Sequence, residues 1–164
     1  MNTDIILGGY YPGALAGVIT LHMDYYAPKW GLGVAFETGL ASGMGAFMER
    51  YDAGRDLFVM ATDRSGTAVG SITVDGVQAG DEGARLRWFI VADAMRGQGL
   101  GTILMQKAVM FLDDRKYRRC YLTTFAGLDA ARALYEKSGF VLKKQLADDP
   151  WSGHVGQQYF ERQV

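Results

Sequence analysis

The sequence predicts a layered domain of the α/β type, with α+β character, in which a mixed central sheet of about six or seven strands is flanked by four helices. Three observations support this fold class. Two early stretches carry apolar residues at the three-and-four spacing of a helix. From Leu57 the apolar pattern changes to that of strands. The second half of the chain then alternates helical and strand patterns, as expected when helices pack on the faces of a sheet.

A short strand and two helices are predicted first. The strand is predicted at residues 4–7, and Pro12 is predicted to open the first helix, because proline suits a first helical position. A break at "APKWGLG" is predicted to separate the two helices. The apolar face of the first helix consists of Leu15, Val18, Ile19, His22 and Tyr26, and that of the second consists of Phe36, Leu40, Met44, Phe47, Met48 and Tyr51.

Three strands are predicted next, at "LFVMA", "AVGSITV" and "RLRWFIV". The third strand is apolar on both faces from Trp88 to Val91, so we expect it in the middle of the sheet. A helix is predicted to start near Gly99, with a stripe of apolar residues along one side. The last predicted elements are a strand at 119–124, a helix at 128–138, a strand at 140–146 and a strand around 155–161.

Composition limits the classes of function. The 164 residues, 49% hydrophobic and 21% charged, fit a single folded domain spanning residues 1–164. A net charge of −1 offers no basic excess to nucleic acid, so no nucleic-acid partner is expected. No apolar run has the length of a membrane span and no signal-peptide layout is seen, so we expect no membrane partner and a cytoplasmic location. The single cysteine, Cys120, and two distant histidines argue against a metal site.

The segment "RGQGLG", from Arg96 to Gly101, stands between the predicted central strand and an apolar helix. First-turn amides of a helix lack internal acceptors, so a glycine loop at this point can bind a phosphate through the backbone. The segment is not a P-loop, because Thr102 and Ile103 follow Gly101 where lysine and Ser or Thr are required. It is not a dinucleotide fingerprint either, because its spacing is G-x-G-x-G. The alternative is a turn that merely lets the helix pack closely on the strand.

Two motifs carry a family resemblance. The string "VADAMRGQGLGTILMQKA" resembles motif A of the GCN5-related N-acetyltransferases, [Arg/Gln]-x-x-Gly-x-[Gly/Ala], which Arg96, Gly99 and Gly101 fill. The later string "AARALYEKSGF" resembles that family's second hallmark, Ala-x-x-Leu-Tyr-x-x-x-Gly-Phe. The resemblance is clearest from residue 85 to residue 140. The first two helices and "WSGHVGQQYF" are similar to a bacterial subgroup whose acetyltransferase domain occurs alone or behind a MarR-like repressor domain; the 164 residues contain no counterpart of that repressor domain.

The resemblance implies an enzyme that moves an acetyl group from acetyl-CoA, as co-substrate, to a primary amine that attacks directly in a ternary complex, without a metal. It implies that Tyr135 protonates the departing thiolate, although a tyrosine at this place also fits a Schellman-type helix cap. The pyrophosphate is expected on the amides of residues 96–102 and the pantetheine arm beside residues 89–91. The donor-binding residues are thus expected to be Phe89, Ile90, Val91, Arg96, Gly97, Gln98, Gly99, Leu100, Gly101 and Thr102.

The sequence offers several candidates for the base that accepts the amine's proton. Glu37, at the border of the second helix's apolar stripe, is the residue we predict, and a water relay without a single base is an alternative. His22 is a further candidate, although a lone histidine on an apolar face is more often a hydrogen-bonded core residue. Asp75 and Glu82 are also candidates, although both are most simply solvated loop charges.

The acceptor is expected to be a small molecule or a protein amine. The aromatic residues Tyr25, Tyr26, Trp30, Phe36 and Trp151 are candidates for its pocket, with plain core packing as the alternative for each. Leu128 stands where many family members have an asparagine that contacts the donor arm, so that contact is in doubt here. A homodimer is left open, and a non-catalytic acyl-CoA sensor is the alternative function.

Overall fold

The computed structural model describes residues 4–150 and 155–164, and seven strands and four helices form there. The strands are β1 (Ile6–Gly8), β2 (Leu57–Thr62), β3 (Ala68–Asp75), β4 (Ala84–Val91), β5 (Arg119–Phe125), β6 (Val141–Leu146) and β7 (Gln157–Gln163). The helices are α1 (Ala14–Trp30), α2 (Val34–Glu49), α3 (Leu100–Asp114) and α4 (Asp129–Lys137), with a 3₁₀ turn at Asp93–Met95. The predicted fold class and order of elements are confirmed.

The strands form one mixed sheet in the order β1-β2-β3-β4-β5-β7-β6. Strands β4 and β5 are parallel, and every other neighbouring pair is antiparallel. The last strand, β7, therefore inserts between β5 and β6. None of the helices in the described ranges is long and apolar enough to span a membrane.

Helix α1 differs from its predicted bounds at both ends. It begins at Ala14 rather than Pro12, because Gly13 adopts a left-handed conformation with φ of +97°. It also continues into the predicted break, with Pro28 inside its last turn, and ends at Trp30, with Gly31 as the C-cap at a φ of +66°. A proline so close to the end removes one hydrogen bond from a turn that is already terminating, so the helix tolerates it. The glycine, rather than the proline, ends the helix.

The two faces of the sheet are covered by different helix pairs. Helices α3 and α4 pack on one face, where Leu104, Leu122 and Phe160 are buried in one core cluster. Helices α1 and α2 pack on the other face through two smaller clusters that include Phe36 and Phe47. The domain is therefore a three-layer arrangement in which the central strands contact helices on both sides.

Strand β4 lies in the middle of the sheet, as predicted, but it is not buried along both faces. The side chains of Trp88, Phe89 and Val91 are only half-buried. A β-bulge interrupts the pairing with β3 between Arg87 and Ile90, and Trp88 takes a positive φ of +48° within it. The bulge alters the alternation of side chains, and the partial exposure arises because this part of β4 faces a cleft.

That cleft exists because β4 and β5 separate. The two strands pair at Ala84–Cys120 and at Arg85–Tyr121, and no register is formed beyond these positions in the described sheet. From Leu86 onward, the edge of β4 that faces β5 has no strand partner. The backbone N–H and C=O groups on this edge of β4 are thus available to pair with a bound ligand.

Candidate functional site

A cavity of about 650 Å³ occupies the opening between β4 and β5. This volume is in the range of small-molecule sites. Residues from both strands, all four helices and the loop before α3 line it. The cleft therefore passes from the face that carries α1 and α2 to the beginning of α3 and α4.

The glycine loop forms one end of the cavity. Gly97 and Gly99 have φ values of +73° and +86°, a conformation that residues with a side chain rarely adopt. Gly99 is the N-cap of α3, and an added Cβ at either glycine would meet no atom within 4 Å. The amides of the first turn of α3 have no acceptor inside the helix, and the positive end of the helix dipole lies there. This end of the cavity can bind an anion.

Gly101 has a different role from its two neighbours. A Cβ there would lie 3.1 Å from Leu134 Cδ1 and 3.6 Å from Phe89 Cζ. This glycine lets α3 approach α4 and β4 closely. Gly101 is therefore explained by close packing, the alternative given above for this segment. At positions 97 and 99, the left-handed backbone conformation explains why the residue is glycine.

Most of the residues predicted to bind the donor line this cavity. Two do not: Gln98 donates a 2.9 Å hydrogen bond from Nε2 to the carbonyl of Ala94, and the Leu100 side chain is buried in the core. Their backbone amides, rather than their side chains, remain available for binding. The eight predicted residues on the cavity wall are Phe89, Ile90, Val91, Arg96, Gly97, Gly99, Gly101 and Thr102.

Arg96 holds the loop against the sheet. Its Nε lies 3.3 Å from the carbonyl oxygen of Val91 and 3.1 Å from Asp93 Oδ1. Its guanidinium also stacks 4.2 Å above the ring of Tyr25. The arginine therefore positions the end of β4 and keeps a partly exposed cation at the anion end of the cavity.

Tyr135 is both a helix-cap residue and part of the cavity wall. Its carbonyl accepts the amide of Phe140 at 3.0 Å, and Gly139, with φ of +90°, donates to Glu136, which together make a Schellman motif. Its side chain is 5% exposed and lines the cavity. Burial raises the pKa of Tyr135 to about 12, and a hydrogen bond with Thr124 opposes this shift. The phenol is thus a protonated donor throughout the physiological range.

Of the four side chains considered as a base, the structure brings one to the cavity. Glu37 is exposed on α2 and is not part of the wall, although Phe36 and Gly39 beside it are. Glu82 is exposed in the turn before β4. The base role predicted for Glu37 thus gains no support from its position.

Asp75 is not the solvated loop charge that the sequence suggested. It is the last residue of β3, and it is buried. Arg50 donates to both of its carboxylate oxygens at 2.9 and 2.6 Å, and Arg87 donates to Oδ2 at 3.1 Å. Although burial alone raises the pKa of this carboxyl, bonds from Arg50, the Val77 amide and Arg87 lower it below its ordinary value. Asp75 is an ion-pair centre beneath the cavity and not part of its wall.

His22 is the one base candidate on the wall, and it is buried on α1. Its Nδ1 lies 2.8 Å from the carbonyl oxygen of Val18. A carbonyl can only accept, so Nδ1 carries the proton and Nε2 carries the lone pair. Burial lowers the pKa of His22 to about 4, despite the opposing effect of that hydrogen bond. The imidazole is therefore neutral at physiological pH.

Aromatic rings form a further part of the cavity wall. Tyr26, Phe36 and Phe125 line it, and the ring of Tyr26 lies 5.3 Å from each of the other two. Tyr25 also lines the cavity, whereas Trp30 packs behind Tyr26 and Phe125. The predicted candidate Trp151 lies outside the described residues.

Some residues of the site were not anticipated. Arg85 and Arg87 line the cavity from β4, and Thr124 lines it from β5. A Cβ at Gly43 would lie 3.0 Å from Arg87 Nη2, so this glycine makes room for the arginine under α2. The sequence signal for the two arginines was the string "RLR", which places two charged residues at the start of an otherwise apolar central strand.

Leu128 and Asp129 stand at the start of α4, on the cavity wall. Leu128 is the N-cap residue, and its side chain cannot donate or accept a hydrogen bond. Cys120 is buried, and burial raises the pKa of its thiol to about 12, as expected for an inert core cysteine. Among the described residues, no group of three or more His, Cys, Asp and Glu is placed to hold a metal ion.

Comparison with known proteins identifies one family. The family model for the acetyltransferase (GNAT) family matches residues 36–140. No curated protein matches the chain significantly.

Among solved structures, an acetyltransferase from Streptococcus agalactiae has a TM-score of 0.75 at 18% identity, with 99% of each chain covered. The ribosomal-protein-S18-alanine N-acetyltransferase of Escherichia coli has a TM-score of 0.69 at 20% identity, covering 98% of this chain and 94% of that one. A spermidine N-acetyltransferase that is a chimera from Vibrio cholerae and hSSAT has a TM-score of 0.68 at 15% identity, covering 98% of this chain and 96% of that one. At such identities the likeness shows the fold alone.

Proposed function

Since the chain belongs to the acetyltransferase (GNAT) family, we propose that it transfers an acetyl group from acetyl-CoA to the primary amine of a small molecule or a protein. One observation carries the proposal. The wall of the cleft between β4 and β5 combines the glycine-capped start of α3, aromatic and polar side chains, and the Tyr135 phenol. A site that binds both an amine and a thioester with a phosphorylated tail requires these elements.

The donor would bind along β4. The pyrophosphate would lie at Gly97–Thr102, where each interaction with the helix dipole contributes about 0.3–1 kcal/mol at an exposed site. The pantetheine amides would pair with the free edge of β4 at Phe89–Val91, where β5 has diverged. An amide of that edge would donate to the thioester carbonyl, and a well-placed donor of this kind contributes about 3–4 kcal/mol in the transition state.

Transfer then requires one bond to form and one to break. The neutral amine forms the N–C bond to the acetyl carbon, the C–S bond breaks, and the sulfur leaves with the electron pair. The Tyr135 hydroxyl would donate its proton toward that sulfur. Since its pKa is about 12, the phenol is protonated when the donor binds, and the proton released by the amine restores it by way of solvent.

His22 replaces Glu37 in the proposed mechanism. Its Nε2 lone pair, fixed by the bond from Nδ1 to Val18, would accept a hydrogen bond from the attacking amine. A histidine with a pKa of about 4 is a weak base, so its contribution is to orient a neutral amine more than to deprotonate an ammonium ion. The water relay expected as an alternative stays compatible with this arrangement.

Three further assignments stay proposals. We propose membership of the subgroup similar to MarR-associated acetyltransferases, which rests on the first two helices and the C-terminal segment. We also propose a cytoplasmic location and an acetyltransferase domain spanning residues 1–164.

The test is calorimetric titration of the protein with acetyl-CoA and with CoA. In the variant Gly99→Glu, a carboxylate and a side chain are placed at the helix start, and we expect binding to be lost. Gly66 is a matched control, because its φ of +85° and its open surroundings resemble those of Gly99 while it lies in the β2–β3 turn. Gly66→Glu should bind acetyl-CoA like the wild type.

Amine-dependent release of CoA thiol then distinguishes the enzyme from the non-catalytic sensor. Tight binding of acetyl-CoA without release, over a broad set of amines, would support the sensor. Absence of acetyl-CoA binding by the wild type would overturn both.

A further inference from the structure

We propose that the acceptor amine also carries a small anionic group, such as a carboxylate, which Arg85 and Arg87 bind in the cavity where β4 and β5 begin to separate. That the ligand is an amine rests on the proposed function. The anion site itself stands on the charges and contacts of β4.

The two arginines lie on the same face of the sheet. They are two residues apart on β4, before the bulge, so their side chains share the face that carries α1 and α2. Both line the cavity. The guanidinium of Arg87 lies 4.2 Å from the ring of Trp88, which also lines the cavity and helps to hold the guanidinium in place. An acceptor in this part of the cavity would therefore meet two cations.

Arg87 is only partly neutralised. Its side chain is 18% exposed, and its ion-pair partner Asp75 is shared with Arg50, which occupies both carboxylate oxygens. One carboxylate thus serves two guanidinium groups. Burial, followed by the charge of Arg85, lowers the pKa of Arg87 despite the opposing effect of Asp75.

Arg85 has fewer ion-pair and hydrogen-bond partners than Arg87. Within the described residues it forms no ion pair; its Nη2 reaches Thr123 Oγ1 at 3.5 Å, and its Nε is buried without a hydrogen-bond partner. A buried donor without an acceptor is unfavourable by about 1–3 kcal/mol, and such donors are uncommon in folded proteins. A bound carboxylate would meet the same guanidinium through its Nη groups, of which Nη2 has only the long contact with Thr123.

The remaining charges of the cavity do not compete for this position. Among its described lining residues the one carboxylate is Asp129, at the start of α4. Arg85 pairs with Tyr121, whereas Asp129 follows the end of β5 at Phe125, which is roughly 13 Å farther along the strand. His22 is neutral. The part of the cavity where β4 and β5 begin to separate therefore carries positive charge, which favours an amine with an anionic group and disfavours a polyamine.

The experiment has a kinetic arm and a binding arm. In the kinetic arm, straight-chain ω-amino carboxylates are compared with n-alkylamines of equal length as acceptors, because their amines have similar basicity. We expect kcat/KM to be higher for the carboxylates by about tenfold or more at the best length. Arg85→Gln should remove most of this preference by lowering the carboxylate values alone. Arg64→Gln, an exposed arginine in the β2–β3 turn, is the control and should retain the preference.

In the binding arm, phenylacetate is titrated into the protein saturated with CoA, alongside uncharged benzyl alcohol. Phenylacetate should bind wild type and Arg64→Gln, and its affinity should fall about tenfold or more in Arg85→Gln. Equal binding to wild type and Arg85→Gln, or no preference for carboxylates among the acceptors, would overturn the proposal. Loss of acetyl-CoA binding or of all transfer would instead contradict the proposed function, and phenylacetate titrated without CoA would still test the anion site.

Discussion

The hydroxyl of Ser71 donates a 2.6 Å hydrogen bond to the carbonyl oxygen of Trp88, joining β3 to the bulge in β4. Ser71 is fully buried, and Trp88 is the residue whose φ is +48°. A non-glycine residue in this conformation needs support from its surroundings, because the strain is on the order of 1–3 kcal/mol. The serine supplies it, and the bulge in turn directs Phe89 to Val91 toward the cleft.

Replacing this serine is expected to affect both stability and donor binding. Ser71→Ala should lower the free energy of unfolding by about 1–3 kcal/mol, because a buried carbonyl loses its donor. Weaker acetyl-CoA binding should accompany the loss, since the free edge of β4 is no longer held in place. Denaturant unfolding and calorimetry measure the two effects. Ser42→Ala, on the exposed side of α2, should change neither; unchanged affinity in Ser71→Ala would show that the bulge does not position the donor.

Tyr135→Phe separates the phenol from the helix cap. The Schellman motif uses the backbone of residue 135, and the ring contacts with Phe140 and Phe160 are kept in the variant. We expect kcat to fall on the order of 10²-fold or more, with the acetyl-CoA affinity little changed. Tyr121→Phe, a tyrosine of β5 outside the cavity wall, is the control. A similar kcat in Tyr135→Phe and wild type would assign the tyrosine to packing alone.

His22 makes the fold sensitive to acid in a defined window. Its pKa is about 4 in the folded protein and about 6.5 in the unfolded chain, so between these values the unfolded chain binds more protons. The contribution of the neutral His22 to the free energy of unfolding is complete above pH 6.5. It decreases by about 3 kcal/mol as the pH falls to 4. His22→Gln should flatten this part of the curve of unfolding free energy against pH. A slope equal to that of the wild type between pH 6.5 and 4 would contradict the buried, neutral histidine.

The buried ion-pair centre gives a prediction about stability. Asp75→Asn should destabilise the fold by about 3–5 kcal/mol, because it leaves the half-buried Arg87 charge without its carboxylate. Arg50→Gln should be less harmful, since Arg50 is more exposed and Asp75 keeps its bond to Arg87. Urea unfolding of the two variants checks this order, and the reverse order would show that Arg50 is the main partner of Asp75.

The sequence determined much of the fold and predicted a donor site. Apolar periodicity depends on local geometry, so it located every helix and strand to within a few residues. Glycines with positive φ and the position of a helix start are also local properties, which is why the sequence alone supports the prediction of an anion-binding loop at Arg96–Gly101. The buried Cys120 followed from the same local pattern.

The tertiary structure decided what depends on contacts between distant segments. The insertion of β7 between β5 and β6, the divergence of β4 from β5 and the bulge at Trp88 have no local signal, because strand pairing joins residues far apart in the chain. The same reason explains why Glu37 could be proposed from its helix stripe although it lies outside the cavity wall. Asp75 became an ion-pair centre, and Arg85 and Arg87 became part of a cavity, through residues brought together by folding alone. The charge of an acceptor site is the sum of side chains from several elements, and that sum is fixed when the elements pack.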